Sequence, residues 1–285
     1  MRLTFLGTGG SEGYPGLFCD CQRCTIARQK GGRSIRRRSS MLVNDDLLVD
    51  FGPDVPAAAQ QWGLSMGGLR HLFITHNHDD HFLPITLRYR TRKKKIDPAP
   101  LTVYGSQPTL DRLATIPFTF EDMRISSRLI SDGNCIDAGD YRVLPLAANH
   151  VRDIDPLIYV IAQRTASVLY ATDTAAFLDA TWAALAELPR PLDAAVVNCA
   201  LLERAVGDDD RLHMTLNETG EHIRRLRQEG ILRLEGVALG THFSHRSQPD
   251  HDTVDALLRP YGVRAAFDGL QVSLHGVPYD NLTKT

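Results

Sequence analysis

Seven residues, Thr75-His76-Asn77-His78-Asp79-Asp80-His81, constrain this chain more than any other stretch. Three imidazoles and a carboxylate fall in an H-x-H-x-D-H pattern directly after the apolar run Leu72-Phe73-Ile74. A strand that ends in so tight a turn aims several nitrogens and an oxygen into one small volume. His76 and His78 alternate along extended backbone, so both can face one cation. Asp80 and His81 follow one turn later and can face a second. A pair of divalent cations needs such a cluster, and the pattern reads as a metallohydrolase.

Two cations need further ligands from distant segments. His150 closes the largely apolar run 144–149, Asp173 follows residues 168–172, and His242 follows residues 237–241. A lone His or Asp at a strand end is usually a cap or a surface group. Four ligand-bearing strand ends in one chain point to one shared site.

The remainder of the sequence has the ordinary balance of a globular chain. It has 285 residues, 43% apolar and 23% charged. A net charge of -2 gives no global field toward nucleic acid or membrane. No apolar run reaches the roughly 20 residues of a membrane helix. The chain opens on a strand-like run, Met1-Arg2-Leu3-Thr4-Phe5-Leu6-Gly7, rather than a secretory leader, and a cytoplasmic location is expected. The dense basic runs Arg36-Arg37-Arg38 and Arg92-Lys93-Lys94-Lys95 read as solvated loop faces.

Short apolar runs bounded by Gly, Pro, Asp and Asn predict strands. They fall at 3–6, 40–43, 47–50, 72–75, 101–104, 141–146, 157–162, 167–171, 194–197, 236–240 and 265–267. Helices are expected over 53–63, 83–95, 175–188, 216–230 and 251–261. Many strands and fewer helices, without strict alternation, predict two sheets covered by outer helices. No internal repeat or low-complexity linker divides residues 1–285, so a single domain is expected.

Phe18-Cys19-Asp20-Cys21-Gln22-Arg23-Cys24 gives C-x-C-x-x-C, in a loop at about residues 18–25. Three thiolates this close need one more ligand to close a tetrahedral zinc site. His245, three residues beyond His242, is the candidate. Cys135 and Cys199 are isolated and read as small buried hydrophobes. His71, His222, His251 and His275 have no motif context and read as surface or structural groups.

Asp50, His76-x-His78-x-Asp80-His81, His150, Asp173 and His242 together, in this order, resemble the metallo-β-lactamase superfamily in its phosphodiesterase branches. The resemblance spans most of the chain. It implies an αββα sandwich with a dinuclear site at one edge of the two sheets. It further implies that His76, His78 and His150 bind the first metal, that Asp80, His81 and His242 bind the second, and that Asp173 bridges them. Asp50 would accept a hydrogen bond from a ligand imidazole and orient it. The oxygen-rich set suits Zn²⁺ or Mn²⁺. Gly7-Thr8-Gly9-Gly10, the Cys cluster and Thr241-His242-Phe243-Ser244-His245 are similar to the phosphoribosyl 1,2-cyclic phosphate phosphodiesterase (PhnP) branch of phosphonate metabolism. That branch implies a structural Zn²⁺ on Cys19, Cys21, Cys24 and His245. The segment Leu212-His213-Met214-Thr215 resembles one in which the histidine reaches the phosphate, which makes His213 a candidate acid or phosphate donor. Thr215 and Glu218 also form a capping-box pattern.

The activity so implied is hydrolysis of a small cyclic phosphate ester by attack of a hydroxide that bridges the two metals. The partner would be a small phosphorylated molecule, with no membrane and no nucleic acid, and the chain would pair as a homodimer. Two other readings share the site: a tRNA 3′-processing nuclease and a PqqB-like carrier or metal-binding protein.

Overall fold

A computed structural model describes residues 1–91, 96–164, 166–203 and 212–275 of the chain. The basic run 92–95 lies outside the described residues. The strands are β1 (Arg2–Gly7), β2 (Ser40–Val43), β3 (Leu47–Val49), β4 (His71–Phe73), β5 (Leu101–Gly105), β6 (Ile125–Leu129) and β7 (Ile136–Ala138). They continue with β8 (Tyr141–Ala147), β9 (Leu157–Gln163), β10 (Ala166–Ala171), β11 (Leu192–Asn198), β12 (Leu232–Thr241), β13 (Arg264–Ala265) and β14 (Gln271–Ser273). One seven-stranded sheet runs β14-β1-β2-β3-β4-β5-β6 and the other β13-β12-β11-β10-β9-β8-β7.

Each sheet is parallel on one side and antiparallel on the other. β3 to β6 pair in parallel, as do β10 to β13, while β1–β2, β2–β3, β7–β8, β8–β9 and β9–β10 are antiparallel. A parallel pair needs a crossover, and helices supply several. Those helices are α1 (Gln22–Lys30), α2 (Val55–Gln61), α3 (Gln107–Leu113), α4 (Phe120–Met123), α5 (Asp179–Ala186), α6 (Leu216–Gln228) and α7 (His251–Leu258). α2 joins β3 to β4, α5 joins β10 to β11, and α6 joins β11 to β12. A capping box starts α6: the Thr215 side chain accepts from the Glu218 N–H while the Glu218 carboxylate accepts from the Thr215 N–H.

Three apolar layers result. Phe5, Met41, Phe73, Tyr159, Val168 and Val196 belong to a cluster contributed by both sheets. Leu169, Val197, Trp182, Ile223 and Val254 pack the second sheet against α5, α6 and α7. Leu48, Leu72, Ala58, Val103 and Leu113 pack the first sheet against α2 and α3. Residues 166–171 are buried throughout, as expected of a central strand covered on both faces. The expected αββα sandwich is therefore the fold.

Several expectations need correction. Residues 84–90 form a 3₁₀ segment, Pro84–Arg90, rather than part of an α-helix. Strands β6, β7 and β14 and helix α1 lack a strong apolar period and were not expected; β6 exposes four of its five residues. Arg36 is no part of a solvated face, being only 3% exposed. Its guanidinium lies 4.1 Å over the Phe243 ring and donates to Thr8 Oγ1 and the Ala266 carbonyl. Neighbouring Arg37 and Arg38 pair with Asp268 and Asp54. Cys135 is exposed rather than buried, because it sits in the turn leading into β7. No helix among the described residues is long and apolar enough to cross a membrane.

Candidate metal centre

The C-terminal ends of the parallel strands open on one edge, where ligands gather in sheets of this kind. β8, β10 and β12 run in the same direction, so His150, Asp173 and His242 emerge together. β3 and β4 deliver Asp50 and the His76–His81 turn from the other sheet. Gly52 lets that turn close: a Cβ there would lie 2.0 Å from the Asp80 carbonyl oxygen. The Phe51 N–H donates to the His81 carbonyl at 2.7 Å and fixes the approach. Asp50, Asp173 and His242 adopt φ of 64°, 50° and 62°. Left-handed backbone at non-glycine residues is uncommon and gathers at functional sites.

Three overlapping groups form at this edge among the described residues, the third being His150, Asp173 and His213. The ligand atoms of His76, His78 and His150 lie within 4.8 Å of one another, as do those of Asp80, His81, Asp173 and His242. Asp173 lies between the groups. Its Oδ2 is 2.7 Å from His81 Nε2 and 3.4 Å from His76 Nε2, and its Oδ1 is 3.0 Å from His242 Nε2. His76 Nε2 and His78 Nδ1 are 3.0 Å apart. All seven residues expected to hold metal are thus brought together.

The surrounding hydrogen bonds set which nitrogen of each ring faces the site. Asp50 is fully buried and its Oδ2 accepts from His81 Nδ1 at 2.7 Å. Its Oδ1 accepts from the Thr75 N–H at 2.8 Å, and the Thr75 hydroxyl lies 2.9 Å away. That hydroxyl donates to Asp50 and accepts from His76 Nδ1 at 3.0 Å. The Leu212 carbonyl accepts from His150 Nδ1 at 3.3 Å. Each of these rings therefore presents Nε2 to the centre.

The donor set fits a divalent cation pair. His81 Nε2 and His150 Nε2 are buried with no hydrogen-bond partner. With Nδ1 donating to Asp50, a neutral His81 aims a lone pair at the Asp173 and Asp80 oxygens, 2.7 and 3.2 Å away. Acceptors facing acceptors at that distance need a cation among them. Burial would depress the His81 imidazole, but the Asp80, Asp50 and Asp173 carboxylates outweigh it and raise it well above the usual range. A proton at that ring does electrostatically what a metal would do, and the two compete. Burial holds His76 well below its usual range, with the neighbouring His81 charge adding to it. Burial likewise lowers His150. Burial opposes ionisation of Asp173, yet the His242 and His81 charges draw it well below the carboxylate range.

His213 lines the same 460 Å³ cavity, together with Ser11 and Arg246. Its Nδ1 is 3.1 Å from Asp173 Oδ1, and its ring sits 5.3 Å from His150 and 5.5 Å from His242. The segment carrying it is fastened by Asn198, whose Oδ1 accepts from the Met214 and Ala200 N–H groups at 3.3 and 3.0 Å. Sequence reasoning missed Asn198, Thr75 and Ser39. Asn198 closes the apolar run 194–197, the same signature that marked His150, Asp173 and His242.

A second cluster lies beside this one. The sulfurs of Cys19, Cys21 and Cys24 are within 4.8 Å of one another. His245 Nδ1 is 3.7 Å from Cys24 Sγ, and the Gly16 N–H points at that sulfur at 3.4 Å. The other His245 nitrogen faces Glu12 Oε1 at 3.6 Å. Three sulfurs and one imidazole match the donors of a tetrahedral zinc site. Burial pushes the Cys24 thiol up to about 12, so binding there must displace a proton. Of the remaining histidines, His251 is buried and His222 half-buried, and both are structural. His222 accepts from the Phe177 N–H, and His251 from Arg36.

Comparison with known proteins places the chain. Residues 46–243 match the beta-lactamase superfamily domain, and the chain belongs to that family. Over 124 residues it is 31% identical to coenzyme PQQ synthesis protein B of Methylobacterium radiotolerans, covering 39% of each protein. Over 178 residues it is 29% identical to ribonuclease Z of Haloferax volcanii, covering 60% of this chain and 46% of that one. The matches thus span less than half the length of these relatives. A crystal structure described as a new diphosphatase from the PhnP family superposes with a TM-score of 0.74 at 23% identity. That superposition covers 97% of this chain and 99% of the other.

Proposed function

We propose that the chain is a dinuclear-metal phosphodiesterase that hydrolyses a small cyclic phosphate ester, such as phosphoribosyl 1,2-cyclic phosphate. The observation that carries this reading is the place of Asp173, within 3.4 Å of His76 on one side and 3.0 Å of His242 on the other. A buried carboxylate between two imidazole groups suits a bridge between cations, either Zn²⁺ or Mn²⁺. His76, His78 and His150 would hold one cation; Asp80, His81 and His242 the other. Bound there, the pair would supply Lewis acidity toward phosphoryl oxygens and a water activated near neutral pH.

The chain's own residues do the rest. Asp50 orients His81, and the Thr75 hydroxyl orients His76. His213 lines the cavity wall, placed to donate a proton to a phosphoryl oxygen or to the departing ester oxygen. Cys19, Cys21, Cys24 and His245 would bind a structural Zn²⁺ that fixes the loop beside Ser11. Free thiols in that loop suit a reducing, cytoplasmic compartment. A homodimer with a small phosphorylated substrate completes the reading.

The ribonuclease Z match favours a second reading, a tRNA 3′-processing nuclease. The PQQ synthesis protein B match favours a third, a carrier or metal-binding protein. One panel separates them: metal-loaded chain assayed on bis(p-nitrophenyl) phosphate, ribose 1,2-cyclic phosphate and a pre-tRNA. Turnover of the cyclic ester is expected. Cleavage of pre-tRNA alone would shift the assignment to the second reading, and no phosphodiester turnover with any metal would leave the third.

A further inference from the structure

The three sulfurs of the cysteine loop differ in access. Cys21 is the N-cap residue of α1 and is exposed. Cys24, three residues on, is buried with Tyr14 and Ala27, and Cys19 is half-buried in the loop before the helix. Positions three apart on a helix share a face, so the Cys21 and Cys24 sulfurs meet across its first turn. They fall within the 4.8 Å that encloses the trio. A dithiol that closes on oxidation needs one sulfur that solvent reaches and a second sulfur within reach of the first. Cys21 meets the first condition and Cys24 the second.

A series of contacts runs from this pair to the metal-lined cavity. His245 Nδ1 lies 3.7 Å from Cys24 Sγ, and its ring packs on Gly16, where a Cβ would meet it at 3.0 Å. Its other nitrogen faces Glu12 Oε1 at 3.6 Å. Glu12 Oε2 accepts from the Ser11 hydroxyl at 3.2 Å. Ser11 then lines two cavities, one with Cys19 and His245 and the other with His78, Asp80 and His242. What happens to His245 at the sulfurs is therefore felt at the wall of the metal centre.

We propose that the cysteine loop is a thiol–disulfide switch, in which Cys21 and Cys24 close into a disulfide, zinc leaves, and Ser11 loses its support. The inference rests on the zinc-loop reading for the metal that leaves, but not for the disulfide itself. The oxidant is a small peroxide. The Cys21 thiolate attacks one peroxide oxygen, the O–O bond breaks, and the departing hydroxide is protonated to water. Cys21 is then a sulfenic acid. The Cys24 sulfur attacks the Cys21 sulfur, the S–O bond breaks, and hydroxide leaves and is protonated to a second water. Two electrons pass from the sulfurs to the peroxide. Zinc is held by thiolate, so the disulfide lets it go. A dithiol reductant returns both thiols and restores the site.

The test uses the full zinc-loaded chain with hydrogen peroxide, in a Cys135→Ser background that removes the exposed thiol outside the loop. The chain should lose about two mass units, and a peptide map should join Cys21 to Cys24. A chromogenic chelator should read about one zinc released per chain. Amide exchange at residues 10–13 should quicken at least about tenfold. Turnover of bis(p-nitrophenyl) phosphate should fall, and dithiothreitol with Zn²⁺ should reverse every change. Cys24→Ser cannot complete the second step and should stop at a Cys21 sulfenic acid, trapped by dimedone. Cys19→Ser lacks a zinc ligand yet should still form the Cys21–Cys24 disulfide. No mass loss, a disulfide between another pair, zinc kept by the oxidised chain, or unchanged exchange or turnover overturns the proposal. Failure of the zinc-loop reading looks different: the reduced chain carries no zinc on the loop, while peroxide still joins Cys21 to Cys24. Failure of the phosphodiesterase reading shows as no turnover before oxidation, and amide exchange then decides.

Discussion

The Ser39 hydroxyl decides where His242 keeps its proton. Ser39 Oγ lies 3.1 Å from His242 Nδ1 and donates its own hydrogen to the Gly9 carbonyl at 3.0 Å. Having spent its one donor, it can only accept from the ring. His242 therefore carries its hydrogen on Nδ1 and turns Nε2 toward Asp173. Ser39→Ala should lower affinity for the active-site metal by about 10–100-fold, the usual effect of losing a group that orients a ligand ring. Competition against a chelator measures it, and affinity equal to that of the natural chain would show that Ser39 orients nothing.

His213 should affect the reaction without affecting metal content. His213→Gln is expected to lower kcat about 10²–10⁴-fold while metal analysis stays unchanged. A parallel loss of metal would make the residue a ligand rather than a proton donor.

The cysteine cluster should behave independently of the catalytic pair. Cys24 is buried while Cys21 is exposed, so Cys24→Ser should be the more damaging change. Metal content is expected to fall from about three to about two per chain, with a lower melting temperature. Asp80→Ala should abolish turnover and leave the zinc of the cysteine loop in place. If Cys24→Ser retained all three metals, the tetrahedral assignment would be wrong.

Gly52→Ala tests the closeness of two loops. The added methyl meets the Asp80 carbonyl at 2.0 Å, so the backbone bearing Asp80 and His81 must move. Lower affinity at the second metal and a destabilisation of about 1–3 kcal/mol are expected, measured by chelator competition and urea unfolding.

Part of the acid sensitivity should arise at Arg36 and His251, in addition to that of the buried imidazoles His76 and His150. Arg36 Nη2 donates to His251 Nδ1 at 3.1 Å, and burial, with the Arg36 charge adding, lowers the imidazole from 6.5 to about 4. The unfolded chain protonates this residue first. The stability it contributes is present above pH 6.5 and is lost as pH falls toward 4. Asp268, pushed up to about 6 by burial, binds its proton earlier in the folded chain and opposes this trend below that pH. His251→Asn keeps an acceptor for Arg36 and should flatten the acid limb of urea-unfolding stability measured from pH 7 to 5. An equally steep limb in the variant would remove His251 as its source.

The cluster proposed to hold metal was largely legible in the sequence because its residues end apolar runs. His76, His78, Asp80 and His81 announce themselves by spacing, and His150, Asp173 and His242 by position. Ser39 and Thr75 were not legible, since a hydroxyl's role depends on where its single proton goes. Strands β6 and β14 were missed because edge strands with one solvated face bury too little to show a pattern. Arg36 was misread for the opposite reason: a charge run suggests solvent, and only the fold reveals the Phe243 ring and the carbonyls waiting for it. Helix α1 has no apolar stripe, because its buried residues are Cys24 and Ala27.

The proposed ligand set is divided between the two sheets. His76, His78, Asp80 and His81 hang from one, and His150, Asp173 and His242 from the other. A cation bound to residues of both acts as a rivet through the open edge of the sandwich. Filling the centre would therefore add a clamp to the hydrogen bonds that already join the two halves there, among them Leu157 N–H to the Thr75 carbonyl at 2.8 Å and Phe243 N–H to the Thr8 carbonyl at 2.9 Å. Its removal would let that edge breathe, with amide exchange quickening at the ends of β4, β8, β10 and β12 before the rest of either sheet responds.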